Sequence, residues 1–110
     1  MMNCYNTTYK IFMMEKFALL ARVEAKPGKE KEVLDFLKSA LPLAQDEPDT
    51  VRWYALKLGP STFGIFDTFE TEEGRKAHLN GKIAAALMAN ASELLSKDPV
   101  IEQVELIAIK

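Results

Sequence analysis

Two hydrophobic rhythms take turns along the chain. Residues 16–26 (KFALLARVEAK) repeat with a period of two. Phe17, Leu19, Ala21, Val23 and Ala25 share one face, and Ala18, Leu20, Arg22 and Glu24 share the other, the signature of a strand. Pro27-Gly28 closes it. Over 28–41 the rhythm changes: Val33, Phe36, Leu37, Ala40 and Leu41 recur at helical spacing with Lys and Glu between them. Pro42 should end or kink that helix, and the polar stretch Gln45–Thr50 reads as a loop. Period two returns in 51–58 (VRWYALKL) and again in 62–69 (TFGIFDTF), on either side of Gly59-Pro60-Ser61. A turn that short between two strands predicts an antiparallel hairpin. On the second of these strands Phe63, Ile65, Asp67 and Phe69 fall on one face.

Thr71 is a good helix N-cap, and Glu72 and Glu73 follow where the helix dipole favours acids. The predicted helix runs to about Leu79 and is broken by Asn80-Gly81. A second helical segment, 82–96, carries Ile83, Ala84, Leu87, Met88, Ala91, Leu94 and Leu95 as its apolar stripe and ends at Asp98-Pro99. Residues 100–109 (VIEQVELIAI) form the last predicted strand. The order β-α-β-β-α-β predicts an α+β, ferredoxin-like unit. Right-handed crossovers place both helical layers on one face of a four-stranded antiparallel sheet.

The other sheet face should then be polar if it meets water. Instead Ala18 and Leu20 oppose Phe17 and Leu19, and Val104, Leu106 and Ala108 oppose Ile101, Ile107 and Ile109. Apolar area on both faces predicts a homodimer packed sheet to sheet.

Length and composition narrow the chemistry. At 110 residues the chain is one domain, expected over 16–110, preceded by a tail at 1–15 without clean periodicity. Met13 and Met14 stand just before the first patterned element, so translation could start there. No run is long and apolar enough for a membrane span, and the tail lacks the ordered parts of a secretory signal. The expected location is cytoplasmic. A net charge of -2 with no basic stripe argues against nucleic acid. With one Cys and one His, the common zinc frameworks and an internal disulfide are excluded. No phosphate loop, dinucleotide fingerprint or His-Glu metal pair is present. No metal or cofactor is therefore expected.

Few side chains remain as candidates. His78, the lone histidine, lies near the end of a predicted helix and titrates near neutrality. It reads either as a general base or as a solvated helix-end residue. Asp67 shares its predicted face with three apolar side chains, where burial would raise its pKa. Its plain alternative is a partner for Arg52 or Arg75. Trp53, Tyr54, Phe63, Phe66 and Phe69 crowd the central elements and either line a cavity for a flat ligand or fill the core.

Certain segments resemble a known family. These are Lys26-Pro27-Gly28-Lys29-Glu30, the hairpin Gly59-Pro60-Ser61-Thr62-Phe63, then Phe66-Asp67-Thr68-Phe69-Glu70-Thr71-Glu72-Glu73 and Ala77-His78-Leu79. Together, over about 16–109, they resemble the antibiotic biosynthesis monooxygenase family of the dimeric α+β barrel superfamily. The resemblance implies a homodimer with a cavity between sheet and helices. It also implies a cofactor-independent monooxygenase acting on a phenolic, quinol or polycyclic aromatic small molecule. His78 matches the family's helix histidine. Asp67 stands where many members have Glu, and Phe69 where many have Trp. Ala21 occupies the place of an asparagine used by haem-degrading members, which turns the reading away from haem. On this reading His78 and Asp67 are catalytic, and Trp53, Phe63, Phe66 and Phe69 bind the substrate. The alternatives are a non-catalytic dimeric binding or stress-response protein, and an isomerase or lyase of a small metabolite.

Overall fold

The computed structural model describes residues 15–110. Most of the expected tail, with Met13 and Met14, lies outside the described residues. Glu15, its last residue, is buried.

Eight elements follow in order: β1 (Phe17–Glu24), α1 (Glu30–Ser39), α2 (Leu41–Gln45), β2 (Thr50–Lys57), β3 (Thr62–Phe69), α3 (Glu72–Leu79), α4 (Lys82–Leu94) and β4 (Val100–Glu105). The strands form one antiparallel sheet in the order β2-β3-β1-β4. The expected α+β, ferredoxin-like architecture is present. Side chains from α1 (Val33, Leu37) and α4 (Ile83, Leu87) join Val23, Phe63 and Ile65 of the sheet in one core cluster. Both helical layers therefore cover the same face. Among the described residues no helix is long and apolar enough to cross a membrane.

Local chemistry explains most boundaries. Gly28 turns the chain from β1 into α1 at φ 86°, a conformation that glycine adopts at little cost. Thr71 caps α3 as its side chain accepts from the Gly74 N–H at 3.0 Å. The chain breaks between α3 and α4 at Asn80-Gly81, where Asn80 Nδ2 donates to the Lys76 carbonyl at 3.1 Å. Two expectations need correction. The first helix does not stop at Pro42: it ends at Ser39, and a short helix restarts at Leu41 with Pro42 in its first turn. Proline suits that position because its missing N–H has no partner to lose there. The last strand ends at Glu105, not at 109.

Arg75 ties α3 to the far edge of the sheet. Its guanidinium donates to the carbonyls of Ala18 and Val104, which face each other across β1 and β4, and to Gln103 Oε1 at 3.0 Å. It also lies 5.2 Å from the centre of the Phe17 ring. This clamp fixes the helix that carries His78.

Candidate functional site

Strand parity puts Asp67 on the helix-covered face of β3, between Leu19 of β1 and Trp53 of β2 in the register. It is 1% exposed. Three features of the chain bring His78 to it. Thr71 starts α3 directly after β3, the helix runs back over the sheet, and the Arg75 clamp sets its rotation. His78 Nε2 then lies 2.8 Å from Asp67 Oδ2. The contact is an ion pair while the imidazole is protonated, and among the described residues neither Asp67 oxygen has a well-aligned hydrogen bond. Phe69 flanks the imidazole at 5.4 Å between ring centres. Among the described contacts neither Arg52 nor Arg75 pairs with Asp67: Arg52 pairs with Glu15 at 3.3 Å, and Arg75 is engaged at the sheet edge.

The other imidazole nitrogen has a partner the sequence did not suggest. His78 Nδ1 is 2.6 Å from Glu47 Oε1. Glu47 lies in the polar stretch between α2 and β2. Its backbone N–H donates to the Ala44 carbonyl at 3.1 Å, and Thr50 Oγ1 donates to Glu47 Oε1 at 2.7 Å. Gly74 lets this loop settle on α3, since a Cβ there would sit 3.2 Å from Asp49 Cβ. The only advance signal for Glu47 was its place in an acidic loop beside a strand, which fits many solvated loops equally well.

One imidazole thus lies between two carboxylates. Burial opposes a charge on His78, but Asp67 and Glu47 together outweigh it and hold the imidazole pKa above 6.5. Burial pushes the Asp67 carboxyl above 3.8, and Glu47 adds to the rise, against the pull of His78. Each group is kept able to carry a proton in a range where an isolated residue of its type would not be.

Two cavities meet at His78. The inner one, about 30 Å³, is lined by Asp67 and apolar side chains including Leu19, Ile65, Ile83, Leu87 and Ile101. The outer one, about 350 Å³, has Asp46, Glu47, Asp49 and Lys82 among its walls. His78 is the one residue common to both. The aromatic candidates scatter around them. Phe63 and Phe69 are fully buried, and Trp53 packs against the core with its Nε1 buried and unpartnered among the described residues. Phe66 does not join the site: it lies on the opposite sheet face, stacked on Tyr54 at 6.4 Å. None of the four lines either cavity at His78. Among the described residues no cluster of three or more His, Cys, Asp or Glu is arranged to hold a metal ion.

No protein-family model matches the sequence. No curated protein matches it either. Solved structures do. The chain is 65% identical to the NE2512 protein of unknown function from Nitrosomonas europaea, over 88% of this chain and 94% of that one, with a TM-score of 0.86. A second Nitrosomonas europaea structure, described as a "putative antibiotic biosynthesis monooxygenase", matches at 12% identity over 84% of this chain and 90% of that one, TM-score 0.74. A Bacteroides thetaiotaomicron protein described as a "possible oxidoreductase" matches at 16% identity over 84% of this chain and 99% of that one, TM-score 0.71. At such identities the last two show a shared fold.

Proposed function

We propose a function from the premise that this chain belongs to the same family as the NE2512 protein of Nitrosomonas europaea. The proposal is a cofactor-independent monooxygenase that acts on a phenolic, quinol or polycyclic aromatic compound. The observation that carries it is Asp67: a carboxylate 1% exposed, 2.8 Å from His78 Nε2 in an otherwise apolar cavity. Such a group is suited to take a proton from a weakly acidic hydroxyl or activated carbon. The distant structures described as a "putative antibiotic biosynthesis monooxygenase" and a "possible oxidoreductase" agree with this reading.

In the proposed reaction the substrate lies against the apolar wall of the inner cavity. The Asp67–His78 pair removes its proton, and the protonated imidazole stabilises the resulting anion. The anion passes an electron to O2, and the two radicals combine. For a substrate whose reacting carbon is a CH2 group, that group becomes a carbonyl, one oxygen atom enters the product and the other leaves as water. The substrate supplies all the electrons. An aromatic ring needs more than 30 Å³, so binding has to widen the cavity between α4 and β4. Phe69 holds the imidazole from the side, Trp53 stands beside Asp67, and Phe63 fills the core beneath.

The quaternary proposal is a homodimer formed through the open sheet face. Its support is the apolar surface there: Tyr54 is 47% exposed and Val100 48% exposed. Size-exclusion chromatography with light scattering should show a dimer at micromolar concentration, and a monomer alone would contradict it.

The experiment for the activity is oxygen uptake with a panel of hydroquinones and anthrone-type phenols. Uptake is expected from the native chain and should be lost in His78→Ala; no uptake above that control would reject the reading. A second reading, an isomerase of a small metabolite, draws on the outer cavity, where Glu47 and His78 stand with Asp46, Asp49 and Lys82 on an otherwise largely apolar wall. Proton exchange into a substrate without oxygen consumption would favour it.

A further inference from the structure

A buried acid–base pair enters turnover in the right protonation state only if it can exchange protons with solvent. The inner side of this site gives no route. Asp67 is buried, and the remaining lining of its cavity is apolar apart from His78. The imidazole itself is 8% exposed. Its second nitrogen points the other way, to Glu47, which is partly exposed and lines the larger outer cavity.

We propose that Glu47 is the proton outlet of the site, a positioning residue that acts through His78 and links buried Asp67 to the solvent of the outer cavity. The inference rests on the reading of Asp67 and His78 as the acid–base pair. The step balances without any further reactant. The proton arriving from the Asp67 side bonds to His78 Nε2, the proton on Nδ1 passes to Glu47 Oε1, and protonated Glu47 releases it to water. The imidazole ends as the Nε2–H tautomer with the substrate anion left behind. The reverse passage, from water to Glu47, from Glu47 to Nδ1 and from Nε2 to the Asp67 side, resets the ring and returns the proton that leaves in the product water.

Three observations support this assignment. The Nδ1 to Oε1 distance of 2.6 Å is short for a nitrogen–oxygen pair, as expected where charge assists the bond. The Thr50 hydroxyl donates to the same oxygen, so the carboxylate is held facing the ring instead of swinging into solvent. Other charged groups nearby are turned elsewhere or kept at a distance. On α3 itself Arg75 is engaged with the sheet edge and Lys76 is exposed; Asp46, Asp49 and Lys82 line the outer cavity, and no hydrogen bond or ion pair joins them to the imidazole among the described contacts. Asp67 and Glu47 are therefore the two groups that face the ring, one on each side of a single step of proton transfer.

Glu47→Gln tests the proposal, because an amide oxygen can still accept the Nδ1–H bond but takes up no proton. His78 is the only histidine, so its ring protons give an unambiguous signal in nitrogen-edited NMR. In the full chain without substrate, solvent exchange of those protons should slow at least tenfold in Glu47→Gln. Glu47→Asp, which keeps the acid but shortens its reach, should slow it less, and if the amide variant does not fold this variant alone decides. Exchange within twofold of the native rate in the folded variants overturns the outlet. Absence of oxygen uptake in the native chain would reject the monooxygenase reading, while the exchange rates still decide the outlet.

Discussion

Adjacent residues of β3 lead to two buried carboxylates on opposite faces of the sheet. Asp67 points to the helices and meets His78. Thr68 points to the open face, where its hydroxyl donates to Glu15 at 2.5 Å, and Arg52 pairs with the same Glu15 oxygen. Glu15 and Asp67 are about equally hidden from water. Their partners differ in kind. Arg52 keeps its charge at every pH at which the protein is folded, and a hydroxyl neither gains nor loses a proton. The Glu15 group is thus a fixed polar plug. His78 changes charge near neutrality and passes the change on to Glu47. Burial alone does not distinguish a structural carboxylate from a chemical one; the titratability of the partner does.

The sharpest way to break this contrast is to remove one partner from each side. His78→Ala leaves Asp67 buried beside nothing that can answer its charge. At pH 8 this should cost about 3 kcal/mol in denaturant unfolding. It should also abolish the proposed oxygen uptake. Arg52→Ala should cost at most about 1 kcal/mol, because the Arg52 side chain is 40% exposed and the Thr68 hydroxyl still donates to Glu15, and should leave uptake unchanged. Equal costs would remove the distinction.

A smaller effect separates the two faces by pH. His78 has its folded pKa raised above 6.5, so the stability it contributes is complete below 6.5 and is lost as pH rises through the folded value. Asp67 is raised above 3.8, so its contribution is likewise present at low pH and lost as pH rises through its folded value. Both signs agree. Between pH 6 and 9 the melting temperature of the native chain should fall by several degrees more than that of the Asp67→Asn, His78→Gln double variant. Arg52→Ala should follow the native curve. A difference of the opposite sign, or none, would show that the covered cluster does not titrate with folding.

The smallest effect concerns the open face as a surface. Tyr54→Lys should weaken the proposed dimer by about tenfold or more in sedimentation, with only a few tenths of a kcal/mol lost by the folded monomer. An unchanged dissociation constant would move the interface elsewhere.

The same contrast shows what was legible in the sequence. The strands were readable from period two, most plainly β1 and β3, which bury one face against the helices, while β2 and β4 keep the alternation without burying a residue. Thr71 and Asn80-Gly81 were readable because caps and breakers act within a few residues. Parity also placed Asp67 with Phe63, Ile65 and Phe69, and it put Phe66 on the opposite side, so grouping Phe66 with the pocket ran against the pattern itself. Pro42 misled because a proline that ends one helix serves equally well in the first turn of the next. The approach of His78 to Asp67 was suggested by family resemblance and not by spacing, since it depends on how α3 folds back and on the Arg75 clamp. Glu47 was illegible for a related reason. Its role depends on a loop docking onto α3 at Gly74, a contact between segments more than twenty residues apart that leaves no local period.

The central claim is that the imidazole of His78 is held between two carboxylates and titrates as part of that group. An NMR titration of this single histidine tests it most directly. The account predicts a midpoint above 6.5 in the native chain, lowered in Asp67→Asn and lowered also in Glu47→Gln. A midpoint at or below 6.5 that neither substitution moves would contradict it.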